Sequence, residues 1–133
     1  MFHFVSISMT FDWHAYLDLA EQLTTNGTSK EAEAKNRAAV SRAYYAVYNI
    51  ALRHAPPSVT KRGGSSHRRL IDHFDSNGHH SISNLLETMR DRRNDADYEG
   101  DKYSTHPGQW RMAAETATAE ARKTLAKISE ELA

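Results

Sequence analysis

Arg90-Asp91-Arg92-Arg93-Asn94-Asp95-Ala96-Asp97-Tyr98 is the stretch of this chain whose residue types could most readily do chemistry. At about 100° per residue on a helix, Arg90, Arg93 and Asp97 fall within about 60° of one another. They share that stripe with Ile82, Leu86 and Met89, the apolar face of the same predicted helix. Charges ordinarily take the opposite face, because desolvating them is costly unless they are paired or used. An inward arginine can bind a phosphate bidentately or stabilise a pentacovalent phosphorane. The plainer alternative is an Arg93–Asp97 pair at i, i+4, worth a few tenths of a kcal/mol if exposed. Tyr98 lies about 100° from Asp97 around the axis. It therefore flanks the stripe, unless the helix end relaxes and turns it in.

A second basic cluster precedes this helix. Lys61, Arg62, His67, Arg68 and Arg69 surround Gly63-Gly64-Ser65-Ser66, where a short helix begins. Free N–H groups at a helix start, with flanking cations, suit an RNA phosphate or another anion, although such runs are also commonly solvated loops. The spacing lacks the Gly-Lys-Ser/Thr ending of a phosphate-binding loop. His67, His73, His79 and His80 cluster in sequence, but His67 and His73 do not share a helix face and His79-His80 reads as a turn. No metal site and no other cofactor is expected from that spacing. His67 opens the short helix, so it either reaches a cleft or sits near the surface. No Ser/His/Asp constellation stands out, and the serines read as caps and turns.

These residues need helices to position them, and the long segments carry a helical period. A first helix is expected from about Thr10 or Asp12 to Leu23, with Trp13, Tyr16, Leu17, Ala20 and Leu23 inward and Asn26-Gly27 as its stop. Thr28-Ser29-Lys30-Glu31 has the pattern of a capping box. It opens a second helix that can run to His54 before Pro56-Pro57 forbids extension, a rod of roughly 40 Å. Ala39, Ala43, Ala46, Val47 and Ile50 form its apolar side; Tyr44, Tyr45 and Tyr48 lie close by, with hydroxyls that need partners. After a loop over 58–66, a short helix turns Leu70, Ile71 and Phe74 inward. Asp75-Ser76-Asn77-Gly78 is turn chemistry, and Ser81 is the expected cap of the helix that carries the arginines. Pro107 suits the first position of a last helix, with Trp110, Ala113, Ala114, Ala117, Ala121, Leu125, Ile128 and Leu132 as its stripe. The aromatic residues Trp13, Tyr16, Phe74 and Trp110 read as core. The expected fold is all-α: an up-and-down bundle of four main helices plus one short helix.

The 133 residues suffice for one domain, placed at 10–133 after a loose extension at 1–9 within which Met9 offers a second start. Seventeen basic and seventeen acidic residues cancel, so any nucleic-acid contact must come from a local patch. The chain has no cysteine, which removes disulfides and thiol chemistry and agrees with a reducing cytoplasm. No apolar run approaches the roughly 20 residues that span a bilayer. A cytoplasmic protein with no membrane partner is the expectation.

Four stretches together resemble the small stand-alone HEPN-domain proteins of bacteria and archaea. They are Thr10-Phe11-Asp12-Trp13 leading to Tyr16-Leu17-Asp18-Leu19-Ala20; Ser41-Arg42-Ala43-Tyr44-Tyr45-Ala46-Val47-Tyr48; His67-Arg68-Arg69-Leu70-Ile71; and Arg93-Asn94-Asp95-Ala96-Asp97-Tyr98, similar to a closing Arg-x-x-Ala-Asp-Tyr signature. The resemblance covers nearly the whole chain from Met9. It implies a helical bundle that often forms a homodimer, a place in toxin–antitoxin or other stress and defence systems, and a nucleotidyltransferase or antitoxin partner. It also implies metal-independent cleavage of RNA by an arginine followed, four to six residues on, by histidine. Here Tyr98 stands where that histidine would, and His106 is too distant. Tyrosine's reference pKa near 10 makes it a weak base at neutrality, although it can donate a proton or orient a phosphate. The expected function is to bind RNA and, if the protein is an enzyme, to cleave it without metal. Arg93 would hold the phosphate, Asp97 or Tyr98 would handle protons, and Arg90 with Lys61, Arg62, His67, Arg68 and Arg69 would guide the substrate. The alternative is a non-catalytic module that binds a nucleotidyltransferase or a nucleotide, its Arg/Asp/Tyr cluster serving as structural pairing.

Overall fold

The computed structural model describes residues 11–60, 65–100, 102–103, 106 and 108–132. Those residues are all helical or connecting, with no strand among them: α1 (Trp13–Leu23), α2 (Lys30–Leu52), a 3-10 turn (Pro57–Thr60), α3 (Ser66–Ser76), α4 (His80–Tyr98) and α5 (Gln109–Leu132). The extension at 1–9, the residues Lys61, Arg62, Gly63 and Gly64, and Pro107 lie outside the described residues. No helix is long and apolar enough to cross a membrane among those described.

Helix starts follow side-chain oxygens that satisfy free backbone N–H groups. Asp12 accepts from His14 N at 2.9 Å and starts α1. Ser29 accepts from Ala32 N at 3.1 Å and starts α2. The expected capping box is not formed there: the cap falls one residue after Thr28, and the position three residues on is Ala32, which has no carboxylate to reach back. Helix α2 ends at Leu52 rather than His54, and its 23 residues span about 35 Å. Pro57–Thr60 forms a turn of 3-10 helix that overlaps the start of the loop expected over 58–66 and buries Val59. Ser81 does not cap α4. Gly78, at φ +84°, turns the chain tightly enough for His79 N to reach Phe74 O at 2.9 Å, so α4 begins at His80. His79 holds the cap position but makes no capping bond; its ring is taken by Glu131 at 2.9 Å.

Helix α2 packs against α1, α4 and α5, and α3 packs on α4 and the 3-10 turn. Ala39, Ala43, Ala46 and Ala51 of α2 are wholly buried and let neighbouring backbones come close. Leu17 and Ala20, Leu70 and Phe74, Ile82 and Leu86, and Ala114 and Ala121 complete the core from the other helices. Burial along α4 continues from Met89 to Ala96, not to Asp97. The charged stripe therefore runs along the edge of the core and not through it.

Two polar side chains of α2 tie the structure together. Buried Asn36 accepts from Thr25 N at 2.8 Å and donates to Thr25 O at 2.9 Å, which fixes the α1–α2 connection. Arg37 donates to Ala96 O at 2.8 Å, Glu99 O at 2.9 Å and Gly100 O at 3.2 Å, and its guanidinium lies 4.6 Å from the centre of the Trp110 ring. Its cation thus caps the carbonyl end of α4, where the helix dipole favours positive charge. Arg37→Ala is expected to destabilise the fold by about 2 kcal/mol, since the part-buried charge-assisted bond to Ala96 O is lost together with the two exposed ones. Arg37→Lys should recover only part, because one ammonium cannot match the planar fork. Urea unfolding followed by circular dichroism measures both; wild-type stability in Arg37→Ala would refute the assignment.

Candidate functional site

The end of α4 meets the tyrosine face of α2 and the start of α3. Arg93 is the centre of this seam. One of its terminal nitrogens donates to Asn94 Oδ1 at 2.7 Å and the other to the Tyr45 hydroxyl. Its Cζ lies 4.8 Å from the centre of the Tyr45 ring and 5.4 Å from that of Tyr98, within cation–π range of both. Nε sits 3.2 Å from Asp97 Oδ2. That contact is an ion pair without hydrogen-bond alignment, for Nε is buried and has no hydrogen-bond partner among the described residues. The same Asp97 oxygen accepts from the Ser41 hydroxyl at 3.1 Å. The Arg93 side chain is 12% exposed and so is held in one place, whereas Tyr98 is 70% exposed. Tyr98 thus borders the seam and does not turn in.

From α3, His67 enters the same seam. Its ring stacks on Tyr48 at 4.3 Å and on Tyr44 at 5.5 Å, and meets Tyr45 edge-on at 6.1 Å. Its Nδ1 lies 2.5 Å from the Tyr44 hydroxyl. Next to it, the Tyr48 hydroxyl and Ser66 Oγ are 2.8 Å apart. Arg90 donates to Ser65 Oγ at 3.3 Å, which joins α4 to the start of α3. Burial lowers the His67 pKa from its ordinary value of 6.5, and the Arg90 and Arg93 cations lower it further. Burial pushes the Tyr44 hydroxyl well above its ordinary 10, against the opposing pull of Arg90 and Arg93. At neutral pH the seam therefore holds a neutral imidazole and a neutral phenol beside two guanidinium cations.

Several residues expected at the site are brought together: Arg90, Arg93, Asp97, Tyr98 and His67. Two others point elsewhere. Arg68 pairs with Glu87 at 2.8 Å on the outer side of α3 and α4. Arg69 turns back to the 3-10 turn, where Nε donates to Val59 O at 2.8 Å. Lys61 and Arg62 are outside the described residues. Sequence reading missed Tyr44, Tyr45, Tyr48, Ser41, Ser65 and Ser66 as site residues. The available signal was chemical: three tyrosines along one alanine-rich helix each bring a hydroxyl that a core of this kind cannot leave unpaired. Among the described residues no three His, Asp or Glu side chains converge as metal ligands. Surface hollows of about 520 Å³ near Thr28 and Gln109 and about 300 Å³ between His14, Ile50 and Ile128 lie away from the seam.

Comparison with protein-family models, with curated proteins and with solved structures gave no match.

A pH dependence follows from His67. Its pKa is lower folded than unfolded, so the unfolded chain binds the proton more readily. The stabilisation from neutral His67 should be complete above the ordinary value of 6.5 and fall away as pH drops through the lowered value. Urea unfolding at a series of pH values should show this slope in the wild type and a shallower one in His67→Gln. Identical slopes would mean that the ring is not held neutral by the fold.

Proposed function

We propose that this protein is a HEPN-like domain that binds RNA through the α2–α3–α4 seam and cleaves it without metal. The observation that carries the reading is the pair Arg90 and Arg93, fixed beside an aromatic wall of Tyr44, Tyr45 and Tyr48 at the core edge. Fixed guanidiniums recognise phosphate oxygens in a bidentate manner, and the exposed Tyr98 ring beside Arg93 suits an unpaired base. Further support is that three of the stretches carrying the resemblance, 41–48, 67–71 and 93–98, meet there. In this reading the helices run up and down as a bundle of four with α3 as the short extra one.

The chemistry needs only the RNA itself. The 2′-oxygen attacks phosphorus, its proton leaves to a base, the bond from phosphorus to the 5′-oxygen breaks, and that oxygen takes up a proton. The products are a 2′,3′-cyclic phosphate and a 5′-hydroxyl. Arg90 and Arg93 hold the non-bridging oxygens as charge builds on them. Asp97, oriented by Ser41 and Arg93, is the carboxylate at hand to accept a proton, and exposed Tyr98 carries a hydroxyl that can donate one. A cytoplasmic homodimer in a toxin–antitoxin or stress setting, beside a nucleotidyltransferase or antitoxin, is the biological frame of this reading.

A second reading, a non-catalytic module for a nucleotidyltransferase partner or a nucleotide, draws on the 70% exposure of Tyr98, an aromatic side chain offered to solvent at a helix end. The two readings separate cleanly. Fluorescence anisotropy with single-stranded RNA, in chelator and low salt, should show binding that Arg93→Ala weakens about tenfold and with a shallower salt slope. Gel analysis should show cleavage by the wild type that Arg93→Ala lacks, with circular dichroism confirming that the variant is folded. Binding without cleavage would leave only the binding half of the proposal. Absence of binding would overturn it and favour the partner module, whose complex Tyr98→Ala should weaken.

A further inference from the structure

The link between Tyr44 and His67 decides which nitrogen of the imidazole carries its hydrogen. Tyr44 is 1% exposed, and its hydroxyl has no other hydrogen-bond partner among the described residues. A buried phenol keeps its proton and must place it on an acceptor. The acceptor available is His67 Nδ1, at 2.5 Å. With Nδ1 filled as an acceptor, the hydrogen of the neutral ring resides on Nε2. Protonating the ring would set an Nδ1–H against the phenol and strand the Tyr44 hydrogen in the core. The groups facing the ring reinforce this. Tyr44, Tyr45 and Tyr48 on α2 surround it with neutral aromatic surface, and Arg90 and Arg93 on α4 oppose a third cation.

We propose that His67 is a neutral hydrogen-bond donor, offering Nε2–H to a phosphoryl oxygen beside Arg90 and Arg93, and that Tyr44 is the positioning residue that fixes this tautomer. The ligand class is a phosphoryl oxyanion, either an RNA phosphodiester or free phosphate. This role rests on the phosphate-binding reading of the seam and gives His67 a part other than base. A ring whose Nε2 already holds a hydrogen cannot take one from a 2′-hydroxyl there. It can stabilise developing negative charge without changing its own protonation.

Nitrogen-15 NMR of histidine-labelled full-length protein tests this, with the His67 signals assigned by their loss in His67→Gln. The wild type should show the Nε2–H tautomer of a neutral ring at neutral pH. Inorganic phosphate, and separately a short single-stranded RNA, should each shift the Nε2–H resonance. Tyr44→Phe should mix the two tautomers and move the pKa back towards 6.5. In RNA binding, His67→Ala should lose about tenfold, while His67→Gln, whose amide N–H has the same reach as Nε2–H, should stay within about threefold of wild type. An Nδ1–H tautomer, an imidazolium at neutral pH, or a glutamine variant as weak as the alanine one would overturn the inference. RNA binding that depends on Arg93 but leaves the His67 resonances unmoved would overturn it and spare the RNA reading. A response to inorganic phosphate without any RNA binding would do the reverse. If His67→Ala does not fold, the wild-type spectra and Tyr44→Phe still decide the matter.

Discussion

Helix α4 must end in a highly charged sequence while still packed on the core, and α2 supplies the partners that make this tolerable. Arg37 takes the carbonyls of Ala96, in the last turn of the helix, and of Glu99 and Gly100 just beyond it. One turn further along α2, Ser41 takes Asp97, and Tyr45 takes Arg93. These positions lie four apart, on one face of α2. A single face therefore satisfies both the backbone and the side chains at the end of α4. Without it, the arginines would be desolvated and unpaired, and the helix end would fray away from the tyrosine wall.

The opposite sides of α2 show why it can do this. Ala39, Ala43 and Ala46 allow close contact with neighbouring helices, so α2 is enclosed and rigid before its polar groups are used. Arg122, which pairs with Asp18 at 2.7 Å and Glu21 at 2.6 Å, and Arg92, which reaches Glu120 at 2.7 Å, join helices at the outside. Exposed pairs of that kind contribute little stability. The α2–α4 seam differs because the Arg93 side chain is nearly enclosed, and its position is set by two rings, an amide oxygen and a carboxylate. Enclosure raises the strength of every electrostatic interaction it makes, with protein or ligand.

His67 shows how such a seam acquires a defined protonation state. Stacked aromatic rings remove water from the imidazole, two guanidiniums disfavour a further positive charge, and the Tyr44 hydroxyl occupies one nitrogen. Each effect alone is ordinary. Together they hold the ring neutral and orient it, which is what an anion site of fixed geometry requires.

The helices themselves were legible because their signals are local. Apolar residues recurred at helical spacing, Asp12 marked the start of α1 and Thr28-Ser29 that of α2 to within one residue, and periodicity gave the apolar core positions of α1, α3 and α5, though not the buried Thr118 and Thr124 of α5. The Arg93–Asp97 pair was equally visible, as an i, i+4 neighbour on one helix. The start of α4 shifted because the Gly78 turn closes on Phe74 O and begins the helix at His80, without the cap expected at Ser81. The composition of the site was not legible. His67 stands 23 residues from Tyr44 and 26 from Arg93 in the sequence, and nothing in local spacing says that the three share a seam. Arg68 and Arg69, its immediate neighbours, looked equally suited and face other partners. By itself, then, the sequence determined which segments are helical and which face of each is apolar, since these depend on contacts within a few turns. Which cations converge, which are spent on carbonyls and which nitrogen of His67 carries a hydrogen were decided by how α2, α3 and α4 pack, because those partners come from different helices.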